Sequence, residues 1–160
     1  MQLIIATIGR LKKGPEQELV ARYVDRLAKS GKAIGISQIK TIEIVESRAA
    51  SASARKIDEA QSLISRLPDK CPIFAFDERG KSPTSRQFAK LVSQQLDSGS
   101  QALALIIGGP DGLDSSLTDR ADNLISFGAA TFPHQLVRVL VLEQAYRAVT
   151  ILTNHPYHRD

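Results

Sequence analysis

The groups from which a reactive site could be built are concentrated in the last third of the chain. The apolar run Leu103-Ala104-Leu105-Ile106-Ile107 leads straight into Gly108-Gly109-Pro110-Asp111-Gly112-Leu113. A strand feeding a glycine turn lets backbone amides approach a small molecule with no side chains in the way. Further on, Ser126-Phe127-Gly128-Ala129-Ala130-Thr131-Phe132-Pro133-His134 sets a run of small residues between aromatic ones. The sequence closes on Asn154-His155-Pro156-Tyr157-His158-Arg159-Asp160. Here a phenol, an imidazole and a guanidinium stand side by side, groups able to hydrogen-bond, exchange a proton and hold negative charge. Terminal segments usually lose such residues or leave them disordered, so a Tyr-His-Arg end points to use.

Several chemistries are excluded or left open. No Gly-Lys-Ser/Thr follows the turn, so it is not a Walker loop, and its spacing is not Gly-x-Gly-x-x-Gly. Pro110 removes an amide that a phosphate-binding nest would use, which favours a neutral or cationic ligand over a polyphosphate. Taken alone, the turn fits tight packing as well as ligand approach, and so does the small-residue run. His134 falls in the first turn of a helix, where the dipole opposes its protonation, and a structural hydrogen bond suits it. Arg138 and Arg147 are nine residues apart, roughly 180° around a helix. They cannot serve one site within one subunit, although across a dimer they could. Asp77 could cap a turn or contact a ligand. The chain has no nucleophile elbow, no paired-carboxylate signature and no Cys/His spacing for zinc. Asp111 with Asp114 is too slight for a magnesium site.

Alternating strands and helices must position these groups. Leu3 to Ile8 reads as a strand that breaks at Gly9. Gly14-Pro15 starts a helix with Pro at its first position and Glu16 and Glu18 in its first turn. Residues 36–45 read as a second strand, and Ser53 to Leu67 as a helix closed by Pro68. Pro72 to Asp77 reads as a third strand, ending in a turn at Glu78-Arg79-Gly80-Lys81. Thr84 with Gln87 has capping-box spacing and opens a helix to about Leu96. Strand 102–107 follows, then a short helix after Asp114, a fifth strand from Leu124 to Phe127, and a helix opened by Pro133 that runs to about Leu152. This succession indicates an α/β fold with a largely parallel sheet. The last helix is apolar nearly all round, from Leu136 to Leu152, and must be covered all round. A homodimer interface is the favoured cover, with packing on a neighbouring helix as the alternative.

At 160 residues the chain is one domain, with a basic N-terminal half of about 1–70 and a part of about 71–160 that carries the glycine-rich segments. Residues 1–70 hold 13 Lys and Arg against 8 Asp and Glu, while residues 71–160 hold 8 against 9. The basic excess, which includes Lys12, Lys13, Arg22, Arg26, Arg55 and Lys56, suits phosphate backbones, and equally suits the solvated faces of a soluble protein. The single Cys71 excludes an internal disulfide. No apolar run approaches the ~20 residues that span a bilayer, and the N-terminus lacks the features of a signal peptide. A cytoplasmic protein without membrane or metal partners is expected.

Four segments together carry a resemblance over essentially the whole chain: Ile107 to Leu113, Thr131 to Val139, Glu143-Gln144-Ala145-Tyr146-Arg147-Ala148, and His155 to Arg159. They resemble the RlmH family, SPOUT-superfamily methyltransferases that act on a pseudouridine of bacterial 23S ribosomal RNA. The resemblance implies a C-terminal deep trefoil knot, a homodimer, S-adenosylmethionine as cofactor, and methylation of N3 of the pseudouridine, on the large subunit or whole ribosome. It implies cofactor contacts at Phe76, Gly108, Gly109, Phe127, Gly128, Ala129, Ala130, Thr131 and Phe132. Phe76 stands where the family commonly has Leu. It further implies that Tyr157, His158 and Arg159 help hold the target nucleotide. Arg159 and His158 would supply positive potential and proton acceptance, and Tyr157 would stack on or hydrogen-bond to the base. A non-catalytic RNA-binding or ribosome-assembly factor on the same scaffold is the alternative. A doubly wound oxidoreductase is disfavoured, because only Gly9 and Gly14 follow the first strand.

Overall fold

Five strands form one sheet in the order β2-β1-β4-β3-β5, and all neighbours are parallel. They are β1 (Gln2–Ile8), β2 (Gln38–Ile44), β3 (Ile73–Lys81), β4 (Ala102–Ile107) and β5 (Asn123–Ile125). The structure is a computed structural model and describes residues 1–159. The helices are α1 (Pro15–Ser30), α2 (Ala52–Ile64), α3 (Ser85–Asp97), the single-turn α4 (Ser115–Thr118) and α5 (His134–Leu152).

Parallel strands need covered faces, and β4 shows the result: all six of its residues are buried and apolar. One face, with Leu3, Ile5, Leu103, Leu105 and Phe74, packs under α1, α3 and α5. The opposite face, with Ile4, Ala6, Ala104 and Ile106, packs under α2 and α4. Strands from both halves of the chain interleave, since β1 lies between β2 and β4.

Local signals fix most boundaries. Pro15 and the acids Glu16 and Glu18 open α1. The Ser51 side chain accepts from Ala54 N–H at the start of α2. Thr84 and Gln87 form the reciprocal capping box expected of α3. Asp114 caps α4, accepting from Ser116 N–H at 2.9 Å. Such caps satisfy helix amides that otherwise lack partners.

Three boundaries differ from the sequence reading. Strand β5 has three residues and ends at Ile125. Helix α2 ends at Ile64, short of Pro68. The turn expected at Glu78 to Lys81 is instead the far end of β3. Phe76 and Lys81 both pair with Ile125, with an irregularity between them. Two residues five apart can meet one partner only if the segment between them bulges, so the reversal suggested by composition sits within the span of β3.

Helix α5 packs between α1 and α3 and touches β4. Val141, Leu142, Ala145, Ala148 and Val149 face inward, while Phe132 and Leu136 at its start remain 40% exposed.

Candidate active site

The glycine turn after β4 closes on itself before any ligand is considered. Gly112 N–H donates to Gly109 O at 3.0 Å. A Cβ on Gly108 would lie 3.0 Å from Gly112 C, and one on Gly109 would lie 2.9 Å from Ile8 Cγ2. Glycine is therefore required here by the turn's own packing against β1. Helix α2 clamps the same turn from outside. Arg55 donates to the Asp111 carboxylate from Nε at 2.7 Å and Nη2 at 3.2 Å, and from Nη1 to Ala49 O. That fork holds the Asp111 carboxyl below its usual range. Glu59, buried behind Gly109, accepts from Ser47 N–H at 2.9 Å, and burial pushes its carboxyl up.

The second wall comes from β5 and the loop after it. Buried Ser126 donates from Oγ to Gly128 O at 2.9 Å and accepts from Gly128 N–H at 3.1 Å. Gly128 has φ +119, a backbone state that other residues reach only with strain. The Phe127 ring stacks on Phe76 with centroids 5.4 Å apart and planes 16° off parallel. Phe76 also packs on Phe88 of α3, so the aromatic wall is tied to the core.

Between the walls lies a cleft of about 810 Å³ at the C-terminal edge of the sheet, within the usual range for small-molecule sites. Its lining includes Phe76, Gly108, Gly109, Phe127, Gly128, Ala130, Thr131 and Phe132. Eight of the nine residues expected for the cofactor thus meet in one place; Ala129, in the same loop, is exposed and outside the lining. His134 and Val137 extend the lining onto α5.

Polar residues that sequence reading did not assign to the site also line it, among them Lys56, Glu78 and Arg79. Asp77, left open earlier, lines the cleft and braces the bulge between Phe76 and Lys81. It accepts from Arg79 Nε at 2.7 Å and from Arg79 N–H at 3.0 Å. The Arg79 bond is the main reason its carboxyl lies below the ordinary range. Asp77 is therefore the carboxylate of an ion pair at the cleft, and Lys56 also lies in the lining. Among the described residues, no group of three or more His, Cys, Asp or Glu is placed to hold a metal ion. No helix among them is long and apolar enough to cross a membrane.

The two arginines of α5 lie on opposite sides of it, as their spacing requires. Arg138 is 3% exposed. It donates from Nη2 to the carbonyls of Ile8 and Gly9, at 2.6 Å each, and from Nη1 to Glu43 at 2.9 Å. It ties α5 to the ends of β1 and β2. Arg147 instead pairs with Glu143, and its Nη1 lies 3.3 Å from His158 Nδ1.

Tyr157 and His158 are therefore at the far end of α5 from the cleft, and no described residue of the tail is in its lining. His134 and Arg147 are 13 residues apart, ~20 Å along a helix axis. The chain gathers its expected cofactor residues but does not bring its own tail to them.

Comparison with known proteins agrees with this architecture. The family described as "Predicted SPOUT methyltransferase" matches residues 1–158. A Rhizobium etli protein named Ribosomal RNA large subunit methyltransferase H is 51% identical over 159 residues, covering 99% of each chain. The Agrobacterium fabrum protein of the same name is also 51% identical over 159 residues, with the same coverage. A solved probable methyltransferase from Bordetella pertussis Tohama I shares the fold, with TM-score 0.50 at 17% identity, covering 92% of this chain and 93% of that one. The chain belongs to the SPOUT methyltransferase family and, within it, to the RlmH group.

Proposed function

We propose that this protein is an S-adenosylmethionine-dependent methyltransferase that methylates N3 of a pseudouridine in bacterial 23S ribosomal RNA, with the large subunit or whole ribosome as substrate. The observation that carries the reading is the cleft built from the glycine turn and the Ser126–Phe132 loop, in a chain 51% identical over its length to a protein named for ribosomal RNA methylation.

The cleft suits this cofactor. Stacked Phe76 and Phe127, with Ile107, Leu113 and Val137, offer apolar surface for a purine. The lining carries the carboxylates of Asp77, Glu78 and Asp111, which tolerate a sulfonium cation, two of them already paired with arginines. Pro110 withdraws an amide from the turn, which disfavours a polyphosphate. Gly108, Gly109 and Gly128 to Phe132 would hold the cofactor chiefly by backbone. When bound, it supplies an electrophilic methyl on sulfur, and transfer leaves a neutral thioether and one proton.

N3 of pseudouridine is an imide nitrogen, a poor nucleophile until its proton leaves. The chain's task is to stabilise the resulting anion and to keep N3 in line with the methyl. Arg159 and His158 are the groups proposed to supply that positive potential.

Because His158 packs beside Arg147, ~20 Å along α5 from His134 in the cleft lining, we assign the complete site to a homodimer in which the tail of one copy faces the cleft of the other. Phe132 and Leu136, each 40% exposed at the start of α5, support an interface on this helix. A knotted path from β5 to α5 is proposed on two supports. Strand β5 lies outside β3, while α5 returns to pack between α1 and α3. Gly80 meets the Leu124–Ile125 backbone with no room for a Cβ, as a tight crossing requires. A cytoplasmic location is part of the same reading, as is a grip on RNA phosphates by Lys12 and Lys13.

The test is methyl transfer to ribosomes by mixed dimers. Gly109→Val pushes the glycine turn off Ile8 and so disrupts the cleft wall, and Arg159→Ala disables the tail, so each parent should be nearly inactive. A dimer carrying one of each keeps one complete site, and part of the activity should return. Cofactor binding with no transfer by the native protein would support the non-catalytic alternative instead.

A further inference from the structure

We propose that Glu143, Arg147 and Tyr23 form a latch that holds the C-terminal tail in one conformation, with Tyr157 as the part gripped. They are positioning residues for methyl transfer, and Tyr157 serves the tail and not the substrate base. The inference rests on the reading that the tail helps hold the target nucleotide.

The tail is built, residue by residue, onto the end of α5. Asn154, at φ +53, turns the chain back, and His155 N–H donates to Thr150 O at 2.8 Å. Tyr157 N–H donates to His155 Nδ1 at 3.1 Å. The Tyr157 hydroxyl then donates to Glu143 Oε1 at 3.0 Å and lies 3.3 Å from the Tyr23 hydroxyl of α1. Its ring meets Tyr146 edge-on at 4.9 Å, and the Arg147 guanidinium sits over it at 4.9 Å.

Glu143 is the hub of this arrangement. Arg147 donates to its Oε1 from Nε at 2.9 Å and also from Nη2, and Gln144 donates to its Oε2 at 2.8 Å. One carboxylate oxygen therefore receives the tail's phenol and the helix's guanidinium together. Arg147 also reaches His158 Nδ1. The latch thus sets both the tail's path and the position of the imidazole beside Arg159. Burial and these neighbours raise the Tyr157 phenol pKa, which keeps it a donor.

A tail ordered in advance loses less freedom when it engages a substrate, and its groups meet the reacting atoms in register. This gives Tyr157 a different task from the base contact that its residue type suggested.

The test uses Tyr157→Phe, Glu143→Gln and Tyr23→Phe in the full-length protein, with Arg159→Ala alongside. All three latch variants keep the size of the side chain. Readouts are kcat and KM for ribosomes, cofactor Kd by calorimetry, and the rate at which a carboxypeptidase trims the tail. The expected result is faster trimming and a kcat lower by about tenfold in Tyr157→Phe and Glu143→Gln, with cofactor Kd unchanged. Tyr23→Phe should shift both readouts in the same direction. Unchanged trimming in all three overturns the latch. Faster trimming with normal kcat, while Arg159→Ala is impaired, overturns the positioning role and leaves the tail's part in transfer standing. If Arg159→Ala is itself fully active, the tail reading fails, and this inference fails with it.

Discussion

Replacing Gly80 with alanine should disable the fold out of proportion to the one methyl group added. An ideal Cβ there would lie 2.5 Å from Ile125 N and 2.6 Å from both Ile125 C and Leu124 C. All three are backbone atoms, so no side chain can rotate away, and β3 and β5 must part by about 1 Å to regain van der Waals contact. Overpacking costs ~1–3 kcal/mol, and backbone against backbone belongs at or above the upper end. In a chain of this length, ~1 kcal/mol moves Tm by ~2–4 °C, so a fall of ~6–12 °C is expected. Calorimetric unfolding at one fixed protein concentration measures it, with Gly99→Ala as the control. Gly99, unlike Gly80, has a positive φ and nothing within 4 Å of a Cβ, so its substitution carries backbone strain of ~1–2 kcal/mol and no clash. Residues on both sides of the crossing line the cleft, namely Phe76 to Arg79 and Ile125 to Gly128, so cofactor affinity should fall as well. A Gly80→Ala protein as stable as Gly99→Ala or better would refute the close crossing.

Arg138→Met removes a buried cation and strands two carbonyls and Glu43; a loss of ~3–5 kcal/mol in denaturant unfolding is expected. Asp111→Asn breaks the Arg55 fork at an exposed position; calorimetry should show little change in Tm but a cofactor Kd weaker by about threefold to tenfold. Glu59 has a raised folded-state pKa, chiefly from burial, so it favours folding when protonated and loses that contribution as pH rises through the raised value. Glu59→Gln should therefore be more stable than the native protein at about pH 8, with the advantage shrinking toward about pH 4; an advantage that does not change with pH would contradict this.

Local chemistry made much of the scaffold readable. Pro15, the Thr84–Gln87 box and the unbroken apolar run of β4 state their elements within a few residues of chain. The cleft walls were readable too, because a glycine turn and a run of small residues leave room whatever they face. What stayed hidden depends on distance. Arg55 and Asp111 lie 56 residues apart, and nothing near either names the other. Lys56 reads as one more solvated lysine until α2 is packed beside the turn. Glu78 to Lys81 has the composition of a turn, but that it forms a bulge inside β3 depends on pairing with β5, distant in sequence. The tail's residue types signalled use, but its path could not be read, since Tyr23 and Tyr157 meet across 134 residues.

The central claim is tested most directly by incubating the protein with labelled S-adenosylmethionine and ribosomes from cells that lack it. The ribosomal RNA is then digested to nucleosides for mass spectrometry. Label in N3-methylpseudouridine of the 23S RNA is the expected result. Bound cofactor with no label in ribosomal RNA, or label on a different nucleoside, would contradict it.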